Sequence, residues 1–265
     1  MKIFYLFFLA FFGILESQII EIQNFEEIVS HVSSDAIILL DIDDTLLIPK
    51  QMLGSDEWFC SQLKKNHEGG MPAEEIVDRT VAQWELIRHI TEMDIVEPGT
   101  KEIVDLLQKS GSPVMGLTTQ GFTLSRKTVQ HLHDQEIFLE KAAPSPSDVY
   151  FTQKRKGSSF EEGVLYRHGI LFTSGTDKGN AFFTLCEGLG YIPKKIIFIN
   201  DKATHLREIE LAAEQRGIPF VGLRYGYSDA KKALFQAEVA EHQFRHSSYH
   251  ELMSDEEVHN FLGGF

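Results

Sequence analysis

Short apolar runs recur along the chain, and polar or acidic residues follow most of them. The first convincing run is Ala36–Leu40, which is uninterrupted and rich in β-branched residues, as is typical of a strand buried on both faces of a parallel sheet. Similar runs lie at residues 113–117, 169–172, 195–199 and 220–225. Capped segments with helical spacing separate several of these runs. The alternation predicts an α/β fold.

Shorter elements complete the pattern towards both ends of the chain. Residues 19–22 predict an edge strand, and Asn24 is placed to cap the helix that follows. Residues 125–136 and 230–241 predict two further helices. Ser254 begins a terminal helix with the spacing of a capping box.

Residues 48–97 separate the first strand from the next core element and carry a helical pattern of their own. Ser55 is placed to cap a helix that ends near His67, after which two glycines break the chain. Pro72 starts a second helix whose apolar residues have helical spacing, among them Trp84. These features predict a helical insertion, in which we interpret Trp84 as part of the core rather than as a substrate contact.

Residues 141–169 are rich in Pro, Ser, Lys and Gly and are long for a loop within a compact domain. We expect this segment to be either a mobile hairpin that covers a functional site or a surface excursion. It contains the densest positive cluster of the chain, Lys154, Arg155 and Lys156. Such a run is usually a solvated loop, but it could instead attract an anionic substrate.

The net charge of −14 is spread along the chain rather than gathered in a tail. This distribution favours solubility and argues against nucleic acid or an anionic membrane as a partner. A length of 265 residues and a hydrophobic content of 43% allow one large domain, or a core with an inserted subdomain.

The segment 1–17 differs sharply from the rest of the chain. Residues 3–15 are uncharged and dominated by Phe and Leu, with Lys2 before them. The run is too short for a comfortable membrane span, which needs about 20 residues, and it fits the apolar region of a signal peptide. A retained short anchor and a buried first helix are the alternatives. We expect an exported protein, periplasmic or extracellular, without stable membrane insertion after processing.

The two cysteines, Cys60 and Cys186, could pair in an exported chain. They lie in segments that we assign to different subdomains, however. We therefore expect two unpaired, partly buried thiols.

Three acidic residues, Asp41, Asp43 and Asp44, crowd the carboxyl end of the first predicted strand. Their charges repel one another, and burial raises that cost, so a fold tolerates the arrangement where a cation lies between them. Oxygen ligands at a strand end suit Mg²⁺, which keeps some of its waters and recruits phosphate oxygens from a substrate. An Asp-rich turn without a metal ion is the alternative, since Asp is common in turns.

The sequence around these acids, LLDIDDTLL, resembles the first motif of the haloacid dehalogenase-like (HAD) phosphohydrolase superfamily. The resemblance makes Asp41 the nucleophile that becomes an aspartyl-phosphate, and Asp43 the general acid and base. Thr118, at the end of the next buried strand, resembles the second motif, whose hydroxyl binds the transferring phosphoryl group. Thr119 is the second choice for this position.

Two later positions resemble the remaining motifs of the same superfamily. Lys178 lies in the first turn of a predicted helix, where its charge opposes the helix dipole, so it is not placed there for helix stability. It resembles the lysine of the third motif, which neutralises the nucleophile and the phosphoryl oxygens. Asp201, 23 positions later, ends a buried strand and resembles the metal carboxylate of the fourth motif. Gln120 stands where relatives often carry Arg.

The resemblance covers roughly residues 35–225 and implies a Rossmann-like three-layer sandwich with a central, mostly parallel sheet and an inserted helical cap. Residues 18–47 and 98–265 would form the core, and residues 48–97 the cap, which would close over the site. The phrases LGSDEWF, VMGLTTQG and GILF further resemble an uncharacterised bacterial branch that is known only as a domain of unknown function. No substrate has been assigned to that branch, so this resemblance does not imply one.

The resemblance also implies an activity, the cleavage of a small phosphorylated substrate through an aspartyl-phosphate. Mg²⁺ would be held by Asp41, Asp201 and the main-chain carbonyl of Asp43. Thr118 and Lys178 would stabilise the phosphoryl oxygens. A phosphotransferase and a non-catalytic exported binding module on the same scaffold are the alternatives. The retained Asp43 and Lys178 favour the enzyme.

Overall fold

The computed structural model describes residues 17–155, 160–247 and 252–263. The predicted leader, residues 1–17, lies outside the described residues except for its last position, and so does Lys156 of the positive cluster. Within the described part of the chain, no helix has the length and apolar character that a membrane crossing requires.

Most strands of the described chain belong to one eight-stranded sheet. In chain order, the strands are β1 (Ser17–Ile22), β2 (Ala36–Leu40), β3 (Leu47–Pro49), β4 (Met93–Ile95), β5 (Val114–Thr118), β6 (Val149–Lys154), β7 (Glu161–Arg167), β8 (Ile170–Phe172), β9 (Lys195–Asn200) and β10 (Phe220–Tyr225). The large sheet has the order β1-β10-β9-β2-β5-β8-β7-β6, and only the pairs β8–β7 and β7–β6 are antiparallel. The predicted α/β class with a mostly parallel sheet is therefore confirmed.

Helices flank this sheet. In chain order, the α-helices are α1 (Asp56–Glu68), α2 (Ala73–Arg88), α3 (Thr100–Lys109), α4 (Ser125–Asp134), α5 (Lys178–Leu189), α6 (Ala203–Glu214), α7 (Asp229–Lys232), α8 (Ala237–His246) and α9 (Asp255–Leu262). Short 3₁₀ helices lie at Phe25–His31, Phe122–Leu124 and Leu139–Ala142. The capping box predicted at Ser254 is present, since its hydroxyl accepts a hydrogen bond from the amide of Glu257.

Alternate side chains of β2 point into two separate hydrophobic cores. Ile38 and Leu40 join a core to which α3 and α4 contribute, whereas Ile37 and Leu39 join a core to which α5 and α6 contribute. All four side chains are fully buried. Burying one such side chain contributes about 1.5–3 kcal/mol relative to leaving it exposed. The two cores place one helical layer on each face of the sheet, which gives the three layers.

The helices α1 and α2 lie between β3 and β4, which pair with each other outside the large sheet. The helix α1 begins at its predicted cap, because Oγ of Ser55 accepts a hydrogen bond from the amide of Trp58 at 3.1 Å. Leu53 and Trp58 form a small third core with Ala240 of α8. The helical insertion is thus anchored both by its root strands and by the C-terminal part of the chain.

The segment 141–169 contains the hairpin β6–β7, which extends the large sheet beyond β8. Of the two alternatives for this segment, the structure contains a hairpin and not a surface excursion, because Leu165 and Tyr166 of β7 pair with the strand β8. Val164 and Tyr166 are fully buried in one of the two main cores. Apolar burial on one side of β7 therefore holds a segment whose composition resembles that of a loop.

The helix predicted over residues 230–241 is wrong, because two helices, α7 and α8, occupy this region with a break between them. Phe235, within the break, packs against the small core around Trp58. Lys232, at the end of α7, donates a hydrogen bond to Asp201. These tertiary contacts outweigh the local helix propensity of the segment.

Two smaller predictions are settled by the structure. The edge strand predicted at residues 19–22 is confirmed, since β1 lies at the edge of the large sheet and pairs with β10. Cys60 and Cys186 are both free thiols, as expected. Cys60, however, is exposed rather than partly buried, whereas burial raises the pKa of Cys186 to about 12.

Candidate active site

Neighbouring parallel strands bring the predicted site residues to one edge of the large sheet. Asp41 follows β2, Thr118 ends β5 and Asp201 follows β9, and β2 lies between the other two strands. Lys178 begins α5, the helix that comes after the next strand, β8. Because parallel strands place their carboxyl ends on the same side, residues that are distant in sequence meet at this edge.

The centre of this edge is a buried ion pair between Asp41 and Lys178. Nζ of Lys178 donates to Oδ1 of Asp41 at 2.6 Å and to the main-chain oxygen of Leu117 at 3.0 Å. Asp177 caps α5 by accepting a hydrogen bond from the amide of Asn180 at 2.9 Å, which fixes the first turn that carries Lys178. The lysine side chain is completely buried. Its ammonium therefore depends on these two acceptors.

The surroundings of Asp41 favour its neutral form. Burial is the largest cause and, with the nearby charges, raises the pKa of Asp41 from 3.8 to about 7. The charge of Lys178 acts in the opposite direction, whereas the negative charges of Asp201 and Asp43 add to the increase. Near neutral pH, a substantial fraction of Asp41 is therefore protonated unless a further cation lies beside it.

Asp201 is linked to Asp41 through Thr45. Oγ1 of Thr45 accepts a hydrogen bond from the amide of Asp201 at 3.2 Å and donates to Oδ2 of Asp41 across a long 3.5 Å. Nζ of Lys232 donates to Oδ2 of Asp201 at 2.8 Å. Lys232 lies beyond the part of the sequence that carries the motifs. The sequence analysis missed it, because nothing in its local pattern indicates a partner near residue 201.

Asp43 faces the helical insertion. Nη2 of Arg88 donates to Oδ1 of Asp43, and Nε2 of Gln120 donates to Oδ2 at 2.8 Å. Arg88 ends α2, is only 4% exposed, and has its guanidinium carbon 4.9 Å from the ring centroid of Trp84. The sequence analysis also missed Arg88. Its one signal was a lone arginine at the end of a predicted helix, which does not reveal a buried carboxylate partner.

Thr118 is buried at the end of β5, and its hydroxyl accepts a hydrogen bond from the amide of Gln120 at 3.1 Å. Thr119, the second choice, lines a cavity instead. Gln120 thus contacts Thr118 through its main chain and Asp43 through its side chain. The sequence analysis did not foresee this connection.

The chemistry of the donor atoms indicates whether the predicted residues could hold a metal ion. In the described part of the chain, no three His, Cys, Asp or Glu side chains form a ready-made metal site. The predicted set needs only the carboxylates of Asp41 and Asp201, together with the main-chain carbonyl of Asp43. Both carboxylates are buried, and the charge of Asp201 raises the pKa of Asp41. A hard divalent cation would relieve that repulsion, so these oxygen donors fit Mg²⁺.

A cavity of about 330 Å³, here called the cap cavity, lies between the helical insertion and the core. The helices α1 and α2 supply one wall, and the loop after β5 supplies the other. Its lining includes the apolar or aromatic residues Phe59, Val81, Trp84 and Phe122, the amide of Gln120, and the charged residues Asp56, Glu85, Arg155 and Glu162. Trp84, which the sequence analysis assigned to the core, packs against the small third core and also lines this cavity. The cavity adjoins the candidate site, because Gln120 belongs to both.

Positive charges near the cap cavity have acidic partners. Nη2 of Arg155 donates to Oδ1 of Asp78 at 2.6 Å, and Nη1 lies 3.3 Å from Oε1 of Glu162. Lys202 pairs with Asp56. The ion pair of Arg155 with Asp78 links the hairpin β6–β7 to α2. Attraction of an anionic substrate by the cluster around residue 155 stays a prediction.

Comparisons with known proteins identify a matching family, several relatives and similar solved structures. The family described as "Protein of unknown function (DUF2608)" matches residues 21–259. A Chlamydia pneumoniae protein named "Putative outer membrane protein" is 24% identical over 239 residues, which cover 89% of this chain and 87% of that protein. A second C. pneumoniae protein with this name is 21% identical over 215 residues, 80% of this chain and 78% of its own. A solved structure titled "Putative Phosphatase from Clostridium difficile" is 14% identical, covers 76% of this chain and 98% of its own, and has a TM-score of 0.44.

Proposed function

The chain belongs to the DUF2608 family of proteins of unknown function, and we propose that it is a HAD-type phosphohydrolase that cleaves a small phosphate monoester through an aspartyl-phosphate on Asp41. The observation that carries this proposal is the buried pair of Asp41 and Lys178 at 2.6 Å. It joins a carboxylate suited to nucleophilic attack with a lysine suited to phosphate neutralisation. The two residues belong to separate motifs, so local sequence preference does not explain their meeting.

The proposed reaction has two steps. An oxygen of Asp41 attacks phosphorus in line, the bond from phosphorus to the ester oxygen breaks, and Asp43 gives its proton to the leaving oxygen. Asp43 then takes a proton from a water molecule that attacks the same phosphorus. The bond to Asp41 breaks, and inorganic phosphate is released. The Thr118 hydroxyl and the Lys178 ammonium stabilise the equatorial oxygens in both steps.

Further groups prepare this chemistry. Asp41, Asp201 and the main-chain carbonyl of Asp43 are the groups that we propose hold Mg²⁺. The ion would supply positive charge against the phosphoryl oxygens. Arg88 and Gln120 hold the carboxylate of Asp43 in one orientation through a donor on each oxygen. Such orientation matters, because proton transfer depends on the position of the acid.

One observation favours a second candidate, a non-catalytic binding module on the same scaffold. Arg88 and Gln120 engage both oxygens of Asp43. A general acid needs access to the leaving oxygen, and a carboxylate locked by two donors would lack that access. The two candidates differ in a measurable way, because only the first one turns over a phosphate ester.

The deciding experiment is a panel of phosphate monoesters assayed with Mg²⁺, on the parent protein and on Asp41→Asn. Phosphate release by the parent and none by the variant is the result expected of the hydrolase. A panel that yields no release with either protein would reject the hydrolase in favour of the binding module. Adding alcohol acceptors to the same assay tests phosphotransfer, since a phosphotransferase would convert the alcohol into its phosphate ester.

We also propose that the protein is exported and that residues 1–17 are removed. The uncharged run at residues 3–15 supports this proposal, as does the name "Putative outer membrane protein" given to relatives. N-terminal sequencing of protein recovered from the native cell provides the test. We expect a start near residue 18. A soluble cytoplasmic pool that begins at Met1 or Lys2 would reject export.

A further inference from the structure

The cap cavity has a chemical character that the proposed reaction does not itself require. Its wall on the insertion is built from Phe59, Val81 and Trp84, and Phe122 stands on the opposite wall. The rings of Phe59 and Trp84 meet edge-to-face with their centroids 6.1 Å apart. Phe122 is 42% exposed, so much of its surface has no protein partner in the described chain. Apolar and aromatic walls of this kind bind flat apolar groups.

We propose that the cap cavity binds the leaving group of the substrate, and that this group carries an uncharged aromatic ring. The inference rests on the proposed function for the phosphate ester itself, while the binding of the ring can be measured without turnover. It assigns the cavity a substrate class, aryl or arylalkyl phosphate monoesters, rather than the phosphates of sugars or nucleotides.

The position of the cavity supports its role as the leaving-group site. Gln120 lines the cavity and donates to Asp43, the residue that gives its proton to the leaving oxygen. Arg88, the other partner of Asp43, stacks on Trp84 of the cavity wall. A leaving group bound against this wall would therefore lie beside Asp43, the acid that protonates the leaving oxygen. The phosphoryl group would lie on the far side of Asp43, towards Asp41.

The charges of the lining decide against an anionic leaving group. Its acidic members are Asp56, Glu85 and Glu162, and Arg155 is the one basic member among the described residues. Arg155 is already paired with Glu162 and with Asp78 outside the lining. A second phosphate or a carboxylate on the ligand would meet acidic side chains with no unpaired cation among the described lining residues, which is unfavourable.

The size of the cavity further limits the classes of ligand that can bind there. Small-molecule sites generally occupy about 300–1,000 Å³, and the cap cavity lies near the lower end at about 330 Å³. A single or fused ring fits this volume, whereas a polymer does not. A sugar would fit by size, but those hydroxyls that lie against Phe59, Val81 and Trp84 would find no hydrogen-bond partner on that wall, at a cost in binding free energy.

The test measures binding of β-naphthol, a neutral fused-ring alcohol, to the full chain by calorimetry. We expect saturable binding to the parent and an affinity loss of about tenfold or more in Trp84→Ala, since stacking and apolar contact are removed. Phe122→Ala, on the opposite wall, should also weaken binding. Leu86→Ala is the matched control, because Leu86 lies on the same helix as Trp84, is 62% exposed and does not line the cavity.

A kinetic measurement separates this inference from the proposed function. We expect the parent to hydrolyse β-naphthyl phosphate with a kcat/KM at least about tenfold above that for glycerol phosphate, which is about 1.4 kcal/mol of transition-state discrimination. Naphthol binding that depends on Trp84 and Phe122, without any hydrolysis, would reject the hydrolase and keep the cavity assignment. Hydrolysis of both esters at equal kcat/KM, with naphthol binding absent or unchanged in both variants, would overturn the cavity assignment and keep the hydrolase.

Discussion

Nζ of Lys178 lies 2.6 Å from Oδ1 of Asp41, although 137 positions separate the two residues. The contact arises because β2, β5 and β8 are parallel neighbours, so that Asp41 and the start of α5 come to the same edge of the sheet. A lysine in the first turn of a helix opposes the helix dipole. Its complete burial there therefore depends on the carboxylate, and this dependence can be measured.

Lys178→Met should destabilise the protein and abolish phosphate release. The substitution leaves Asp41 buried without its cationic partner, and breaking a buried pair in this way costs about 3–5 kcal/mol. Chemical denaturation measures the loss of unfolding free energy. Lys109→Met, at an exposed position at the end of α3, is the control and should change stability little. Equal stability of the two variants would show that Asp41 does not depend on Lys178.

Asp41→Asn should remove turnover by at least about a thousandfold, because an amide oxygen cannot replace the nucleophilic carboxylate. The fold should persist, since Asn keeps an acceptor for Lys178 with nearly the same volume. Phosphate release is measured alongside the circular dichroism spectrum. Asp94→Asn, at an exposed position on β4, provides the matched control. Release at the parental rate by Asp41→Asn would remove Asp41 from the chemistry.

Asp201→Ala should raise the Mg²⁺ concentration needed for half-maximal activity by about tenfold or more, since one of two buried carboxylates is lost from the proposed metal site. The same substitution leaves Lys232 without its partner at 2.8 Å. Lys232→Met is therefore the informative companion, because it removes the lysine and keeps the carboxylate. An unchanged Mg²⁺ titration in Asp201→Ala would exclude it as a metal ligand, and activity in excess chelator would reject the metal mechanism.

The sequence predicted those features that depend on local pattern. Asp41, Asp201 and Lys178 are recognisable because each sits at a strand end or helix start with a characteristic neighbourhood. The parallel sheet was predictable for the same reason, since its strands are short, apolar and β-branched. The hairpin β6–β7 was harder to predict, because burial along β7 and pairing with β8, rather than composition, hold it in the sheet.

The missed features depend on which distant side chains meet. Arg88 comes from the helical insertion and Lys232 from α7, and each pairs with a carboxylate at the carboxyl edge of the sheet. Nothing in the local sequence marks either residue as the partner of a buried carboxylate. An arginine or a lysine at the C-terminal end of a helix is ordinarily solvated, and its charge stabilises the helix by interacting with the helix dipole. The break between α7 and α8 also depends on a contact between residues that are distant in sequence, because Phe235 within the break packs against the small core around Trp58.

His131 should make the stability of the protein sensitive to acid. Burial, assisted by the charges of Lys127 and Arg88, lowers the pKa of His131 from 6.5 to about 4. Between these two values the unfolded chain binds a proton that the folded chain does not, so this contribution to stability is lost as the pH falls. His131→Phe removes the effect. Relative to this variant, the parent should lose about 1–2 kcal/mol between about pH 7 and pH 5, because solvent screens part of the ring.

Denaturation of both proteins at the two pH values measures this difference. His67→Phe, at an exposed position on α1, is the control and should follow the parent. A parallel pH dependence in the parent and in His131→Phe would show that His131 does not supply the effect.

Arg88→Gln distinguishes the two candidate functions by the direction of its effect. Arg88 is 4% exposed, donates to Asp43 and stacks on Trp84 at 4.9 Å. If it orients the general acid, its loss should lower kcat by about tenfold to a hundredfold with a smaller change in KM, because Gln120 alone cannot fix the carboxylate. If it locks Asp43 away from the substrate, its loss should instead raise phosphate release from an inactive parent.

Arg88→Lys adds a second readout to this comparison. Lysine keeps the positive charge but lacks the planar fork that contacts Asp43 and stacks on Trp84. We expect its kcat to lie between those of the parent and Arg88→Gln, since charge is retained while orientation is lost. Arg79→Gln, at an exposed position on the same helix, controls for the loss of a surface charge from α2. Identical kcat values for the parent, both Arg88 variants and this control would show that the buried guanidinium serves packing alone.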